Sequence, residues 1–295
     1  MRFSRIGMFV LILMSLLAVV AVPAYALLGR KLLRGEVRNV ADYSSIQEAI
    51  DSLPETGGTV FIPAGTYVIS VPIKVPAHVS LEGAGFDTVL VLAEGANVNV
   101  IENMNPRIWL DEDIRVANLR INGNGVAQDS AVSGIFLYTV PNSRVENVWL
   151  HDFPEYTISA GVFLLLCPDS TVRNVVASDN RYTGIFVSWS DNSLILGNYL
   201  VSNHRGIYIS YSNYTVVRKN KIVDCDEGIR LYGDSSYNRI IQNNIEGSSD
   251  EGIVIFHATC ENNFLVNNRI INCILPINDL GTNTKMPHNK IHYSH

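Results

Sequence analysis

The sequence predicts an all-β fold: a single-stranded right-handed parallel β-helix of about ten coils, with a short N-terminal capping helix. A glycine followed by a β-branched residue recurs at spacings of 22 to 27 residues, and asparagine recurs in step with it. Two columns that keep step over six repeats indicate a solenoid in which one repeat makes one turn. The first column contains Gly134-Ile135, Gly161-Val162, Gly184-Ile185, Gly206-Ile207, Gly228-Ile229, Gly252-Ile253 and Pro276-Ile277, and the second contains Asn118, Asn147, Asn174, Asn198, Asn220, Asn244 and Asn268.

The composition agrees with stacked strands. Hydrophobic residues make up 47% of the 295 residues and charged residues 17%, which excludes a disordered chain. The net charge is −6 and no basic cluster is present, so we expect no nucleic-acid partner. The predicted core residues are isoleucine, valine and leucine at every second position, which favours short β-strands over a leucine-rich repeat.

The N-terminus has the features of an export signal. Arg2 and Arg5 precede an apolar run over residues 8–22, and Ala24-Tyr25-Ala26 has the small-x-small pattern of a cleavage site. The alternative is an uncleaved membrane tether through residues 8–22, because basic residues follow closely. Either interpretation predicts a secreted, periplasmic or cell-surface protein. The predicted organisation is a signal peptide or anchor at 1–26, a linker at 27–36, and a β-helix at 37–295 with its cap at 37–56.

An amphipathic helix is predicted over residues 42–53, since Ile46, Ala49 and Ile50 share one face. Ser44 with Gln47, or Ser45 with Glu48, can form its capping box. Such a helix would cover the unpaired strand edges at the open end of the stack. Alternating strand patterns with Gly and Pro corners follow it.

The four cysteines are predicted to be buried free thiols. They show no metal-ligand spacing. Cys225 and Cys273 occupy equivalent positions two coils apart, which is beyond the separation that a disulfide bridges. The four are Cys167, Cys225, Cys260 and Cys273.

Residues 37–69 resemble the N-terminal cap of the pectate-lyase-like β-helix superfamily. The later Gly-Ile and Asn repeats are similar to those of carbohydrate-binding and sugar-hydrolase proteins. The resemblance implies a β-helix over about residues 37–295 and a carbohydrate ligand. Members include polysaccharide lyases, glycoside hydrolases, epimerases, tailspikes, adhesins and binding proteins, so several activities stay open. The shared cap motifs are Ile46-Gln47-Glu48-Ala49-Ile50, Gly57-Gly58-Thr59-Val60 and Pro63-Ala64-Gly65-Thr66-Tyr67.

The residues that follow each Gly-Ile pair are expected to point outward, because side chains alternate along a strand. Many of them are aromatic, and an exposed aromatic row favours a glycan groove, since sugar rings stack on aromatic faces. Coverage of the row by a long loop or another subunit is the alternative. The predicted substrate-binding residues are Phe186, Trp189, Tyr208, Tyr211, Arg230, Tyr232, Phe256 and His257.

Charged residues gather just before three successive Gly-Ile pairs. A coil spacing of about 4.8 Å would bring neighbouring carboxylates near the roughly 5 Å separation of a retaining glycosidase. In a β-elimination, a histidine or arginine would act as base or carboxylate clamp, and the acids would hold calcium. Capping of backbone groups is the alternative without chemistry. The predicted catalytic residues are His204, Arg205, Asp226, Glu227, Asp250 and Glu251.

Two further sets of residues lie near this predicted site. Asp179 and Arg181 fall at the same edge one coil earlier. Asp152 and Glu155 lie on a longer insert before Gly161, where they form either a loop over the groove or solvated turn residues.

We therefore predict an exported carbohydrate-active protein that cleaves polysaccharide in a groove along the Gly-Ile sheet. The reaction class is left open between a glycoside hydrolase and a polysaccharide lyase. No resident metal is assigned, and calcium is the candidate cofactor for a lyase. The alternative function is a non-catalytic glycan-binding or surface-adhesion protein.

Overall fold

The computed structural model describes residues 35–106 and 108–293, which form a right-handed parallel β-helix of about 11 turns. The predicted fold is confirmed, with about one turn more than expected. The strands lie in three parallel sheets around a continuous apolar core. Strands β8 and β10, Arg115–Asn122 and Arg144–His151, run through a corner and belong to both the first and the second sheet.

The remaining strands of the described residues are divided among the three sheets as follows. The first sheet contains β1 Glu36–Asn39, β2 Gly58–Ile62, β5 Val79–Gly83, β12 Thr171–Arg173, β15 Leu194–Leu196, β18 Val216–Arg218, β21 Arg239–Ile241 and β24 Phe264–Val266. The second contains β3 Gly65–Ile69, β6 Thr88–Leu92, β13 Val176–Ser178, β16 Tyr199–Val201, β19 Lys221–Val223, β22 Asn244–Glu246, β25 Arg269–Ile271 and β27 Lys290–His292. The third contains β4 Ile73–Val75, β7 Ile101–Asn103, β9 Ser133–Tyr138, β11 Ala160–Leu165, β14 Thr183–Ser188, β17 Arg205–Ser210, β20 Glu227–Tyr232, β23 Glu251–Ile255 and β26 Leu275–Asp279.

The Gly-Ile column sets the register of the third sheet. Ile185 pairs with Ile207, Ile207 with Ile229, and Ile229 with Ile253, and all four side chains are fully buried. The preceding glycine is required because consecutive coils approach closely there. A Cβ on Gly228 would lie 2.4 Å from the carbonyl oxygen of Gly252, closer than non-bonded atoms come. The periodicity of the sequence therefore predicts the pairing correctly.

The N-terminal helix α1 is shorter than predicted and spans Ile46–Asp51. Before helix α1, a 3-10 turn occupies Val40–Asp42. An irregular segment follows the turn and ends at Ser45, whose extended backbone caps the helix. The Ser45 hydroxyl accepts a hydrogen bond from the Glu48 amide, as in the second predicted capping box, but the Glu48 carboxylate accepts from Ser44 instead of from the Ser45 amide. The Gln47 side-chain amide donates to the Lys74 carbonyl and accepts from the Lys74 backbone N–H, so the helix satisfies both backbone groups of this residue at the edge of β4.

The predicted asparagine column is in fact two adjacent ladders. Asn118, Asn147 and Asn174 form an outer ladder with left-handed backbone. An inner, buried ladder satisfies backbone groups of the same corner by side-chain hydrogen bonds from coil to coil. Its members are Asn198, Asn220, Asn243, Asn268 and Asn289, so Asn243 takes the place predicted for Asn244.

The four cysteines are buried free thiols, as predicted. The chain divides into a unit Met1–Glu36 and a unit Val37–His295. Nearly all of the first unit, including the predicted signal or anchor segment at 8–22, lies outside the described residues. Within residues 35–106 and 108–293, no helix is both long and apolar enough to cross a membrane.

Candidate functional site

Two corners flank the central strands of the third sheet. We define the polar corner as residues 180–182, 203–204 and 225–226, immediately before β14, β17 and β20. The aromatic corner comprises residues 189–192, 211–214 and 233–237, immediately after the same strands. A six-residue strand separates them by about 20 Å.

Buried asparagines fix the polar corner. The Asn203 side-chain oxygen accepts hydrogen bonds from both the amide and the side chain of Asn180, and the Asn203 side chain donates to the Ala177 carbonyl. The following residues, Arg181 and His204, are held by backbone hydrogen bonds to Phe153 and Asn180. The ladder therefore presents one polar side chain per coil on the outside.

These side chains line two adjoining cavities. One has a volume of about 340 Å³ and is lined by Glu155, Asn180, Arg181, Ser202, Asn203, His204, Asp224 and Asp226. The other, of about 240 Å³, is lined by Asn122, Asn124, Gly125, Val126, Asp152 and Arg181. Because Arg181 lines both, the two cavities form one groove, which we call the corner groove.

A histidine–carboxylate pair lies in the larger cavity. His204 Nδ1 is 2.8 Å from Asp226 Oδ2, and both side chains are partly exposed. A carboxylate accepts, so Nδ1 carries the proton of this bond and Nε2 is left with its lone pair. Ser249 donates to the other Asp226 oxygen at 2.6 Å. This arrangement suits general-base chemistry at Nε2.

The surroundings keep Asp226 ionised. Partial burial alone would raise the pKa of its carboxyl, but the hydrogen bonds from Ser249 and His204 outweigh that effect. The pKa of Asp226 therefore lies below its ordinary value. An ionised carboxylate stabilises the imidazolium that forms when a histidine takes up a proton.

Glu227 lies on the other side of the corner and does not line the groove. Its buried carboxylate is paired with Arg205, at 3.0 Å, and with Arg230. The Arg230 guanidinium in turn covers the ring of Phe256 at 4.1 Å. Glu227 and Arg205, two of the predicted catalytic residues, thus form an ion-pair network over the sheet.

Asp250 and Glu251 lie next to Glu227. Ligand oxygens of these three residues are all within 4.8 Å of one another. Burial raises the pKa of Glu251, and the nearby carboxylates of Asp250 and Glu227 raise it further, against a hydrogen bond from Asn278. We call these three residues the acid cluster. Calcium binding there stays a prediction.

The aromatic row faces outward, but the expectation of a continuous exposed row is wrong. Phe163, Phe186 and Tyr208 stack with centroid separations of 4.4 and 4.5 Å, so Phe186 is only 7% exposed. Arg230 is likewise buried, whereas Trp189 is 54% and Phe256 43% exposed. Trp189 stacks on Tyr211 at 4.6 Å, and Tyr232 contacts His257. The accessible rings are those at or near the aromatic corner.

Several groove residues are absent from the set that the sequence predicts. Arg181 and Asn180 belong to the coil before His204, and Glu155 comes from the insert before β11. His151 and Asp152 form a second pair at 2.6 Å next to the smaller cavity. The insert is the sequence signal for Asp152 and Glu155, which line the two cavities as a loop beside the groove. Arg181 and Asn180 lie outside the insert, and only the position of Arg181 at the same edge as the predicted site points to it.

A sequence model of one protein family, described as periplasmic copper-binding protein (NosD), matches residues 94–290. That range is about two thirds of the chain and includes the whole corner groove.

The chain belongs to the NosD family.

The periplasmic description of the NosD family agrees with the export that the N-terminal sequence predicts. No curated protein matches the sequence closely. Among solved structures, the A-module of the mannuronan C-5 epimerase AlgE4 from Azotobacter vinelandii is 18% identical, with a TM-score of 0.65 over 88% of this chain and 89% of that chain.

Two other similar structures belong to proteins with different functions. The DFA-IIIase of Arthrobacter chlorophenolicus A6 is 14% identical, with a TM-score of 0.60 over 80% of this chain and 67% of that chain. PfbA, a surface adhesin of Streptococcus pneumoniae, is 13% identical, with a TM-score of 0.54 over 87% of this chain and 93% of that chain. At these identities the likeness establishes the fold alone.

The described residues do not fit the copper in the family description. Copper sites use thiolate, thioether and imidazole ligands. Within residues 35–106 and 108–293, the one cluster of three or more His, Cys, Asp or Glu ligand atoms is the acid cluster, which offers hard oxygen ligands. Burial raises the pKa of Cys167 to about 12 and that of Cys225 to about 11, and neither thiol belongs to the acid cluster.

Proposed function

We propose that this protein cleaves uronate-containing polysaccharide by β-elimination in the corner groove. The observation that carries the proposal is the His204–Asp226 pair, which lines a polar cavity together with Arg181. A uronate needs a base at C5 and a cation at its carboxylate. The groove offers both on neighbouring coils, in a protein whose net charge of −6 attracts no polyanion by itself.

In the proposed reaction, the Arg181 guanidinium binds the uronate carboxylate and so acidifies the C5 proton. His204 Nε2 takes that proton, while Asp226 holds the ring and stabilises its charged form. The electron pair forms the C4–C5 double bond, the C4–O bond breaks, and the departing oxygen takes a proton from water. The hydroxide that remains takes the proton from His204, which restores the neutral base. The products are an unsaturated uronate and a new chain end.

The similar solved structures support a carbohydrate substrate. They include enzymes acting on mannuronan and a DFA-IIIase in complex with DFA-III. Hydrolysis is the second candidate, supported by the raised pKa of Glu251, because a general acid must hold its proton near neutral pH. It is weaker, since Glu227, the most buried acid of that cluster, is already paired with two arginines.

A substrate screen tests the proposal. The full chain is incubated with polygalacturonate, alginate and neutral polysaccharides, with and without calcium, while reducing ends and unsaturated-product absorbance are read together. We expect both signals on a polyuronate, and their loss in His204→Ala and Arg181→Ala. Arg239→Ala, at an exposed arginine on the first sheet, is the matched control. Reducing ends without unsaturation would replace the proposal by hydrolysis, and silence on every substrate would reject it.

A further inference from the structure

Four aromatic residues of the aromatic corner adopt left-handed backbone. The φ angles of Trp189, Tyr211, Tyr214 and Tyr237 are 51°, 48°, 56° and 58°. Bulky residues are uncommon in this region, where glycine and asparagine are favoured. Backbone held in a sparsely populated region is found preferentially at functional sites.

The neighbouring coils provide an internal reference. Backbone hydrogen bonds place Asn142, Asp169, Asn192, Tyr214, Tyr237 and Asn262 at equivalent positions of successive coils, all with positive φ. The other four members of this column are Asn or Asp, which the conformation favours. Tyr214 and Tyr237 are therefore exceptions that local backbone preference does not explain.

Packing of the core does not explain these rings either. Tyr214 is 56% exposed, Tyr237 48% and Trp189 54%. Tyr214 stacks on Tyr237 at 5.2 Å, and Trp189 on Tyr211 at 4.6 Å, so two stacked pairs lie three residues apart on one corner. Exposed aromatic surface of this kind indicates a binding site.

The chemistry of the corner favours a saccharide as its occupant. Asp191 and Asn213 lie between the two pairs, half-buried, with Asp191 accepting from the Asn213 amide. Aromatic faces edged by hydroxyl, amide and carboxylate groups match a sugar ring, which has an apolar C–H face and a hydroxyl rim. The centre of a protein–protein interface is depleted of charged residues, so a second copy of the chain matches less well.

We propose that the aromatic corner is a second glycan-binding site, a strand length away from the corner groove, that holds polysaccharide without acting on it. Its ligand class rests on the proposed function, but its residues are different. The site consists of Trp189, Tyr211, Tyr214 and Tyr237, of which Tyr214 and Tyr237 are not in the set predicted from the aromatic row. A chain held there would stay near the groove between successive cleavages.

The asparagine column supplies the test variant, Tyr214→Asn/Tyr237→Asn. Asparagine is native at the equivalent positions 142, 192 and 262, so we expect the melting temperature to stay the same or rise. Binding is read as retardation of the full chain in native gels that contain polygalacturonate, alginate or a neutral glucan. Neither substitution changes the charge, so mobility in a blank gel is the internal reference.

We expect the wild type to be retarded by at least one polysaccharide and the double variant to bind it about three- to tenfold more weakly. Tyr293→Asn, at an exposed tyrosine near the C-terminus, should behave as the wild type. Trp189→Thr should weaken binding as well, and threonine is native at position 139 of the same left-handed column.

Undiminished retardation of the double variant would overturn the inference. So would light scattering that shows a wild-type dimer dissociated by these substitutions, because the corner would then be an interface between copies. Retention by a His204→Ala variant that has lost turnover would separate the two proposals. If the double variant Tyr214→Asn/Tyr237→Asn keeps its turnover and is retarded as strongly as the wild type, this inference is rejected while the proposed catalysis in the corner groove is not.

Discussion

Asp226 and Glu227 are adjacent in the chain but lie in opposite surroundings. Asp226 lines an open cavity and pairs with one imidazole, whereas Glu227 is buried between two guanidinium groups. The chain turns between them, so one side chain faces the corner groove and the other faces the sheet surface. Charged residues that cluster in a repeat therefore do not always form one site. Only the carboxylates on the groove side of the corner, such as Asp226, can reach a substrate bound in the groove.

The largest expected contrast between the two carboxylates is in activity. Asp226→Asn removes the charge that orients His204 and stabilises its protonated form. We expect kcat/KM on the polyuronate to fall about 10²- to 10⁴-fold, measured as the initial rate of unsaturated-product formation. A variant with unchanged activity would remove Asp226 from the mechanism.

In stability we expect the opposite order, with the larger loss on substitution of Glu227 and the smaller on substitution of Asp226. Glu227→Ala leaves the buried Arg230 and the half-buried Arg205 without their shared partner, and we expect it to lower the free energy of unfolding by about 3 to 5 kcal/mol. Asp226→Asn, at a largely exposed pair, should change it by less than about 1 kcal/mol. Urea denaturation of both variants measures the difference. Equal costs would contradict the assignment of Glu227 to the fold.

The stability that Asp226 contributes should depend on pH. The folded-state pKa of Asp226 is lowered, so the carboxylate contributes stability that is present above its unfolded pKa of about 3.9 and is lost as pH falls through the folded value. The difference in melting temperature between wild type and Asp226→Asn should therefore shrink only at acidic pH, below about 4. A constant difference between pH 7 and 3 would contradict this.

The smallest expected effect is at Glu251, whose pKa is shifted the other way. A raised folded-state pKa means that ionised Glu251 disfavours the folded state, so stability increases as pH falls towards the unfolded value of about 4.3. Glu251→Gln should stabilise the protein at pH 7, by up to about 0.5 kcal/mol, and less at pH 4. Thermal melts at the two pH values measure it. Destabilisation at pH 7 would show that the charge is needed there, as it would be if the acid cluster held calcium.

The repeat makes the fold predictable from sequence, because a glycine at each close approach and an isoleucine in each core position leave one register. Side-chain direction at the corners is not predictable to the same degree. Period-two alternation assigns residues within a strand, but it fails at Glu227, which lies two residues before the core residue Ile229 and yet pairs with Arg230 on the outer face. The same limit explains why the spacing points to Asn244 where the buried ladder uses Asn243.

Contacts between coils set the other limit on prediction. Alternation predicts correctly that the Phe186 ring points outward. It does not predict that the ring is buried by stacking on Phe163 and Tyr208 of the neighbouring coils. Arg181 is expected near the predicted site but is not one of its residues, because the residues that complete its groove come from other coils.

Chemical rescue of His204→Ala tests the central claim most directly. The His204 side chain is partly exposed on the cavity, so free imidazole can enter the space that the alanine leaves. We expect the variant to be folded and inactive on the polyuronate. Its rate of unsaturated-product formation should rise with the concentration of neutral imidazole, while Arg181→Ala is not rescued. A folded variant that stays inactive at every imidazole concentration, or that is as active as the wild type without it, would contradict the assignment of His204 as the base.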